Sequence, residues 1–249
     1  MTAWLKNWSP VNGYLFPIQH TSSFSLGTRE IELGVASGIS SGAFWLTSPT
    51  LGNTFPCLWV PCDASDRVML YLHGNGSTIW DMQSSLEEYA RRLRISVVAM
   101  EYPGYGPASG RPSEATIDDA VQVTFEHLTQ SLGFAPDNIV IMGRSIGTGP
   151  ATRLAANMCK ASTPPAALAL QSAYMSIAAI VRGLMGRWGQ IAATIMFDRW
   201  ESIKTMPGIK CPVLFLHGQE DCLIPPSHSE ALRAAATNRF VNCCISGRK

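Results

Sequence analysis

The sequence predicts an α/β fold in which a mostly parallel central sheet carries helices on both faces and antiparallel strands lie at its N-terminal end. Three observations predict it. Short, solid apolar runs alternate with segments of helical period from about residue 65 onward. Four of those runs hand over to glycine-bearing loops, and open parallel sheets place their sites at such strand ends. The first 50 residues read differently, as a hairpin. With 249 residues, 46% of them apolar, the chain has material for one large core, and 1–249 is read as a single domain.

Each element follows from its local pattern. Arg29–Ala36 and Gly42–Thr47 are predicted as an antiparallel pair joined by a Ser/Gly-rich turn, which makes the sheet mixed. Val68–Leu72, Val97–Met100, Ile139–Met142, Ala167–Leu170, Val213–Leu216 and Phe240–Ile245 are too short for helices and solid rather than alternating, as strands buried on both faces are. Between them, Ile79–Leu93 sets Ile79, Met82, Leu86, Tyr89, Ala90 and Leu93 on one helical face. Thr116–Leu132 does the same with Ile117, Ala120, Val121, Phe125, Leu128 and Leu132. Ser145–Cys159 and Ser227–Ala236 complete the predicted helices. The connection from Leu170 to Val213 is far longer than a plain crossover needs. Within it Met175–Phe197 has a helical pattern, so 174–198 reads either as a small helical lid over the site or as a crossover helix with an extra turn.

Composition excludes several classes. Charged residues are 15% and the net charge is +1, with no basic run to track phosphates, so no nucleic-acid partner is expected. The seven cysteines are odd in number and contain no Cys-x-x-Cys pair. That argues for reduced thiols rather than a disulfide framework or a zinc site, and no metal or cofactor is expected. The N-terminus, MTAWLKNWSPVNGYLF, lacks a long apolar core after a basic start and does not read as a signal peptide. Trp4, Leu5 and Trp8 fall at helical spacing and either pack on the domain or touch a membrane surface. The most apolar region, 166–197, is interrupted by Arg182, Arg187 and several glycines, which argues against a transmembrane span. The expected location is cytoplasmic or membrane-peripheral.

The chemistry lies in the loops at the carboxyl ends of the strands. Val68–Leu72 leads into His73-Gly74-Asn75-Gly76, Val97–Met100 into Glu101-Tyr102-Pro103-Gly104-Tyr105-Gly106, and Val213–Leu216 into His217-Gly218-Gln219-Glu220-Asp221. Ile139–Met142 leads into Gly143-Arg144-Ser145-Ile146-Gly147, a Gly-x-Ser-x-Gly sequence between a buried strand and a helix. A sharp turn there projects the Ser145 hydroxyl from the sheet, while the two glycines relieve crowding where strand and helix pack. The helix start offers backbone N–H groups to an oxyanion, with Ile146 as one donor and the loop after His73-Gly74, at Asn75, as the second. Chain order then requires an acid and a histidine downstream of the serine. Asp221 fits the acid better than its neighbour Glu220. Of the five histidines only His228 lies beyond Asp221, and it falls in the first turn of a helix, where it is a weak substitute base.

These segments resemble the α/β-hydrolase superfamily, and within it the branch of bud-emergence-type serine hydrolases and α/β-hydrolase-domain protein depalmitoylases. The carrying stretches are LYLHGNG at 70–76, EYPGYGPASGRPSE at 101–114, IMGRSIGTGPA at 141–151, LQSAYMSI at 170–177 and CPVLFLHGQEDCLIPPSHSEAL at 211–232. The resemblance implies the α/β-hydrolase fold, Ser145 as nucleophile, Asp221 as acid, and an oxyanion hole at the loop after His73-Gly74 and at Ile146. It makes His73 and His217 loop-orienting residues, and it puts the catalytic histidine after the last strand and a short Gly-containing turn. Ser246-Gly247-Arg248-Lys249 occupies that turn, so the chain reads as truncated before the catalytic histidine and the final helix. The cysteine-rich N-terminus of the depalmitoylases is also missing.

Other residues have two readings each. Tyr102 and Tyr105 belong to a loop that should rim the pocket, and they either contact substrate or pack the loop. Met175, with Met185 and Met196, either lines an acyl pocket or packs core or lid. His127 is expected to face solvent. The leading expectation is a serine hydrolase that cleaves carboxylic ester or thioester bonds through an acyl-enzyme, acting on a small-molecule, lipid-like or acylated-protein substrate, with peripheral membrane contact left open. The alternatives are a non-catalytic binding or interaction protein and a serine peptidase of the same fold.

Overall fold

The computed structural model describes residues 31–33, 41–63, 65–183, 199–237 and 240–245. Trp4, Leu5, Trp8, His20, Met185, Met196, most of 174–198 and the turn at 246–249 lie outside the described residues. The chain forms two compact units, Met1–Ile139 and Val140–Lys249.

In the first unit the strands β1 (Ile31–Leu33), β2 (Ser41–Thr47), β3 (Thr54–Val60), β4 (Val68–Leu72) and β5 (Ser96–Met100) lie in the order β1-β2-β3-β5-β4. The first three pairings in that order, β1 with β2, β2 with β3 and β3 with β5, are antiparallel, and β4 with β5 is parallel. The hairpin expected near the N-terminus is therefore present, and a strand that the sequence reading lacks, β3, continues it. Pro56 hid that strand, because proline cannot donate to a ladder. Its position resolves the conflict. Pairing of β3 with β5 starts at Cys57↔Met100, and Pro56 contributes its carbonyl, which accepts from the Glu101 N–H at 2.9 Å.

Helix α1 (Ile79–Leu93) lies between β4 and β5 in the chain and begins on a capping box. The Thr78 hydroxyl accepts from the Asp81 N–H and the Asp81 carboxylate accepts from the Thr78 N–H, satisfying two N–H groups that a helix start leaves open. Its buried face is Ile79, Met82, Leu86, Glu87 and Ala90. Glu87 is tolerated there because its carboxylate accepts from Ser41 and Gln83. Helix α2 (Glu114–Glu126) begins two residues before the predicted start, on a reciprocal cap between Ser113 and Thr116. The predicted run to Leu132 continues as a wide π turn, His127–Ser131, which keeps Leu128 buried.

The second unit holds β6 (Ile139–Arg144), β7 (Ala167–Gln171), β8 (Val213–Gly218) and β9 (Phe240–Ile245) in that order, all parallel. Helix α3 (Thr148–Lys160) connects β6 to β7, and α4 (Ser227–Ala235) connects β8 to β9. β6 and β7 carry fully buried Ile139, Ile141, Leu168 and Leu170, each worth on the order of 2 kcal/mol of burial. The long connection after β7 holds a helical segment at 177–183, started by the Ser176 hydroxyl accepting from the Ala179 N–H, and a short helix Ser202–Thr205. Among the described residues no helix is long and apolar enough to cross a membrane.

Candidate active site

The turn from β6 into α3 carries the clearest chemical signature. Ser145 has φ of 51°, a left-handed conformation that costs a residue with a Cβ about 1–2 kcal/mol. It opens a single 3-10 turn, Ser145–Gly147, before α3 begins at Thr148. The Thr148 hydroxyl donates to the Ser145 carbonyl at 2.7 Å and holds the turn closed. A Cβ on Gly143 would lie 2.4 Å from the Gly147 carbonyl oxygen, so only glycine permits this approach of strand and helix. Ser145 is partly exposed while Ile146 behind it is 7% exposed. The serine is thus held on a strained, rigid corner.

Tyr174, fully buried just after β7, donates its hydroxyl to the Ile146 carbonyl at 3.1 Å. Gly149 makes room for it, since a Cβ there would meet the Tyr174 hydroxyl at 2.2 Å and Trp200 at 2.6 Å. The next residue, half-buried Met175, donates its N–H to the His228 Nδ1 at 3.2 Å. The pocket expectation for Met175 involves Met185 and Met196, which lie outside the described residues.

Asp221 ends the loop after β8. Its Oδ1 accepts from the Leu223 N–H at 3.1 Å and the Ile224 N–H at 2.9 Å, an Asx turn that fixes the carboxylate. The side chain remains part-exposed, with Oδ2 3.7 Å from His217 Nε2. His217 is buried and both its ring nitrogens are engaged. Nε2 donates to the Ile224 carbonyl at 2.7 Å, and Nδ1 faces the Ser229 hydroxyl at 2.6 Å. A carbonyl only accepts, so the proton on Nε2 is assigned and Nδ1 receives the serine hydroxyl. His228 is engaged as well, because its Nδ1 lone pair accepts the Met175 N–H. Burial, with His217 nearby, holds the His228 pKa below the ordinary imidazole value.

In the first unit the loop after β4 is strapped by the loop after β5. His73 is fully buried, with Nδ1 donating to the Gly74 carbonyl at 3.0 Å and Nε2 3.0 Å from the Glu101 carboxylate. That last contact is a close approach without hydrogen-bond alignment. The second Glu101 oxygen accepts from the Ile79 N–H at 3.1 Å, at the start of α1. The Tyr102 ring stacks on His73 at 4.0 Å and its hydroxyl donates to the His73 carbonyl at 2.8 Å. The Tyr105 hydroxyl donates to Asn75 Oδ1 at 2.7 Å. Desolvation and the Glu101 charge raise the Tyr105 pKa, so the phenol stays protonated and able to donate. Asn75 itself is exposed. Tyr102 and Tyr105, expected either to touch substrate or to pack the loop, are 1% and 2% exposed with their hydroxyls committed to the loop. His127, expected to face solvent, is half-buried and its ring packs at a tilt against Phe44, centroids 5.0 Å apart.

Three parts of this arrangement were absent from the sequence reading: the Glu101 anchor, the Tyr174 strut and the Ser229–His217 link. Glu101 could have been found from its type, a carboxylate placed directly after an all-apolar strand. The other two leave no such mark, because they depend on which residues from separate segments meet.

Comparison with known proteins agrees with this geometry. A family profile described as the alpha/beta hydrolase family matches residues 69–242. Alpha/beta hydrolase domain-containing protein 17B from Homo sapiens is 31% identical over 189 residues, covering 76% of this chain and 62% of that protein. Alpha/beta hydrolase domain-containing protein 17C from Mus musculus is 33% identical over 182 residues, covering 72% of this chain and 53% of that one. The chain therefore spans between half and two thirds of the length of these relatives. Among solved structures, an alpha-beta hydrolase from Vibrio vulnificus superposes with a TM-score of 0.69 at 20% identity, over 82% of this chain and 73% of that one. An esterase from Pyrococcus furiosus gives 0.69 at 14% identity, over 89% and 90%. The strand order, the serine corner and these matches together place the chain in the alpha/beta hydrolase family.

Proposed function

We propose that the protein is a serine hydrolase that cleaves carboxylic ester or thioester bonds through an acyl-enzyme. The observation that carries this reading is Ser145 at φ of 51° on the glycine-bounded corner between β6 and α3. A small helix-capping serine needs no such conformation, whereas a nucleophile aimed outward from a strand end does. In this reaction the base takes the Ser145 hydroxyl proton as the Ser145 oxygen bonds to the substrate carbonyl carbon, the carbonyl electrons move to its oxygen, and the Ile146 N–H stabilises that charge. Asn75 is proposed as second donor on the sequence pattern alone. Collapse of the intermediate expels the alcohol or thiol with a proton delivered by the base, and water then hydrolyses the acyl-serine. Loss of one oxyanion donor costs on the order of 3 kcal/mol of transition-state stabilisation.

Asp221 is proposed to orient the base. Neither described imidazole of the second unit has a free lone pair for the role, since those of His217 and His228 are engaged by Ser229 and Met175. Both rings are thus committed to holding structure rather than to taking the Ser145 proton. The resemblance of the loop motifs to those of protein depalmitoylases favours an acylated-protein or lipid-like substrate over a peptide. A fluorophosphonate probe on the full-length protein tests the nucleophile, with an adduct expected on Ser145 and lost in Ser145→Ala. A panel of p-nitrophenyl esters and S-acylated peptides separates the substrate classes. An unlabelled Ser145 would instead support a non-catalytic binding protein.

A further inference from the structure

His228 is the one histidine of the chain beyond Asp221, which makes it the obvious stand-in for a base. Its contacts give it another task. We infer that His228 is a positioning residue: its Nδ1 holds the Met175 amide and so ties the helix behind the Asp221 loop to the segment that braces the Ser145 corner. The inference rests on the reading of Ser145 as nucleophile and Asp221 as acid.

The connection can be followed atom by atom within the second unit. From the serine corner, the Ile146 carbonyl accepts the Tyr174 hydroxyl at 3.1 Å. Met175, the next residue, donates its N–H to His228 Nδ1 at 3.2 Å and accepts at its carbonyl from the Ile203 N–H at 3.1 Å. His228 and Ser229 are neighbours in the first turn of α4, and both are buried. The Ser229 hydroxyl meets His217 Nδ1, His217 Nε2 donates to the Ile224 carbonyl, and the Ile224 N–H donates to Asp221 Oδ1. Nucleophile corner and acid loop therefore share one string of bonds, and the His228 lone pair is the joint at which Met175 meets α4.

The tautomer follows from the partner. A backbone N–H must be accepted, so Nδ1 is unprotonated and the ring proton sits on Nε2. Burial and the adjacent His217 keep the imidazole neutral near pH 7, which preserves that lone pair. A ring in this state cannot remove a proton from serine through Nδ1 without first releasing Met175.

Side-chain shape separates positioning from base catalysis. Asparagine puts its Oδ1 where His Nδ1 lies, can accept the Met175 N–H and cannot act as a base. Glutamine puts its acceptor near the Nε2 position, and leucine has none. The test measures hydrogen–deuterium exchange of the peptide containing Met175, and fluorophosphonate labelling of Ser145, in the full-length protein and in His228→Asn, His228→Gln and His228→Leu. In His228→Leu and His228→Gln, exchange at Met175 should rise about tenfold and labelling should slow about tenfold, the scale of one lost buried bond. In His228→Asn both should stay within about threefold of the parent, because the bond to Met175 is kept. Labelling lost in His228→Asn as fully as in Ser145→Ala would make His228 the base and overturn the inference. Unchanged Met175 exchange in His228→Leu would overturn it too. A parent protein whose Ser145 takes no label would sink the nucleophile reading, and Met175 exchange alone would then decide whether His228 holds the strut.

Discussion

At the scale of single residues, backbone conformation and the assignment of lone pairs decide what each group can do. Ser145 stores backbone strain, which the proposed role of nucleophile would account for. Replacing it with glycine removes the Cβ from a left-handed position, so Ser145→Gly should be about 1 kcal/mol more stable than Ser145→Ala in urea unfolding, with neither taking label. Equal stability of the two would mean the corner is relaxed. The Ser145 corner was legible in the sequence because a Gly-x-Ser-x-Gly between a buried strand and a helix leaves few other uses for the serine. The place of Asp221, a carboxylate just past the strand after next, was legible too, and the structure holds it there in an Asx turn. His228 was not, because a histidine's role depends on which nitrogen meets which partner, and Met175 is 53 positions away in the chain.

At the scale of elements, close approach decides which side chains each loop tolerates. Gly143→Ala would drive a methyl to 2.4 Å from the Gly147 carbonyl, a backbone atom that cannot swing aside. It should cost about 2–3 kcal/mol in chemical unfolding and slow Ser145 labelling, since the corner must open to admit it. The loop after β4 depends instead on the buried His73–Glu101 pair, both residues fully shielded from solvent. Glu101→Gln replaces the buried carboxylate that faces His73 and accepts from the Ile79 N–H, and should destabilise the protein by about 3 kcal/mol, read in the same unfolding experiment. A loss under about 1 kcal/mol would show that the carboxylate is not what holds the loop. The parallel strands were readable as solid apolar runs because burial on both faces abolishes alternation. β3 escaped because Pro56 signals a break, and only the three-dimensional register shows that its missing N–H falls where the ladder with β5 has ended.

At the scale of the whole molecule, burial sorts groups that look alike in the sequence. Cys57, Cys159 and Cys211 are buried, and desolvation pushes the Cys211 thiol up to about 12 and Cys57 higher still. Cys222 is exposed. Native alkylation with iodoacetamide should therefore modify Cys222 ahead of those three, as peptide mass spectrometry would show. Folding also holds two imidazoles, His127 and His228, below their ordinary pKa of 6.5 through burial. The unfolded chain then binds more protons below that value, so stability should be full above about pH 6.5 and fall as the pH drops toward the folded-state values. A flat unfolding free energy between about pH 7 and about pH 5 would contradict this. Family membership and fold rest on strand order and on matches across most of the chain, whereas the reaction rests on one corner of it. Labelling of the full-length protein with a fluorophosphonate, followed by peptide mass spectrometry, tests that corner most directly. A single adduct is expected on Ser145 that disappears in Ser145→Ala, and an unmodified Ser145, or an adduct that survives the substitution, would contradict the assignment of Ser145 as the nucleophile.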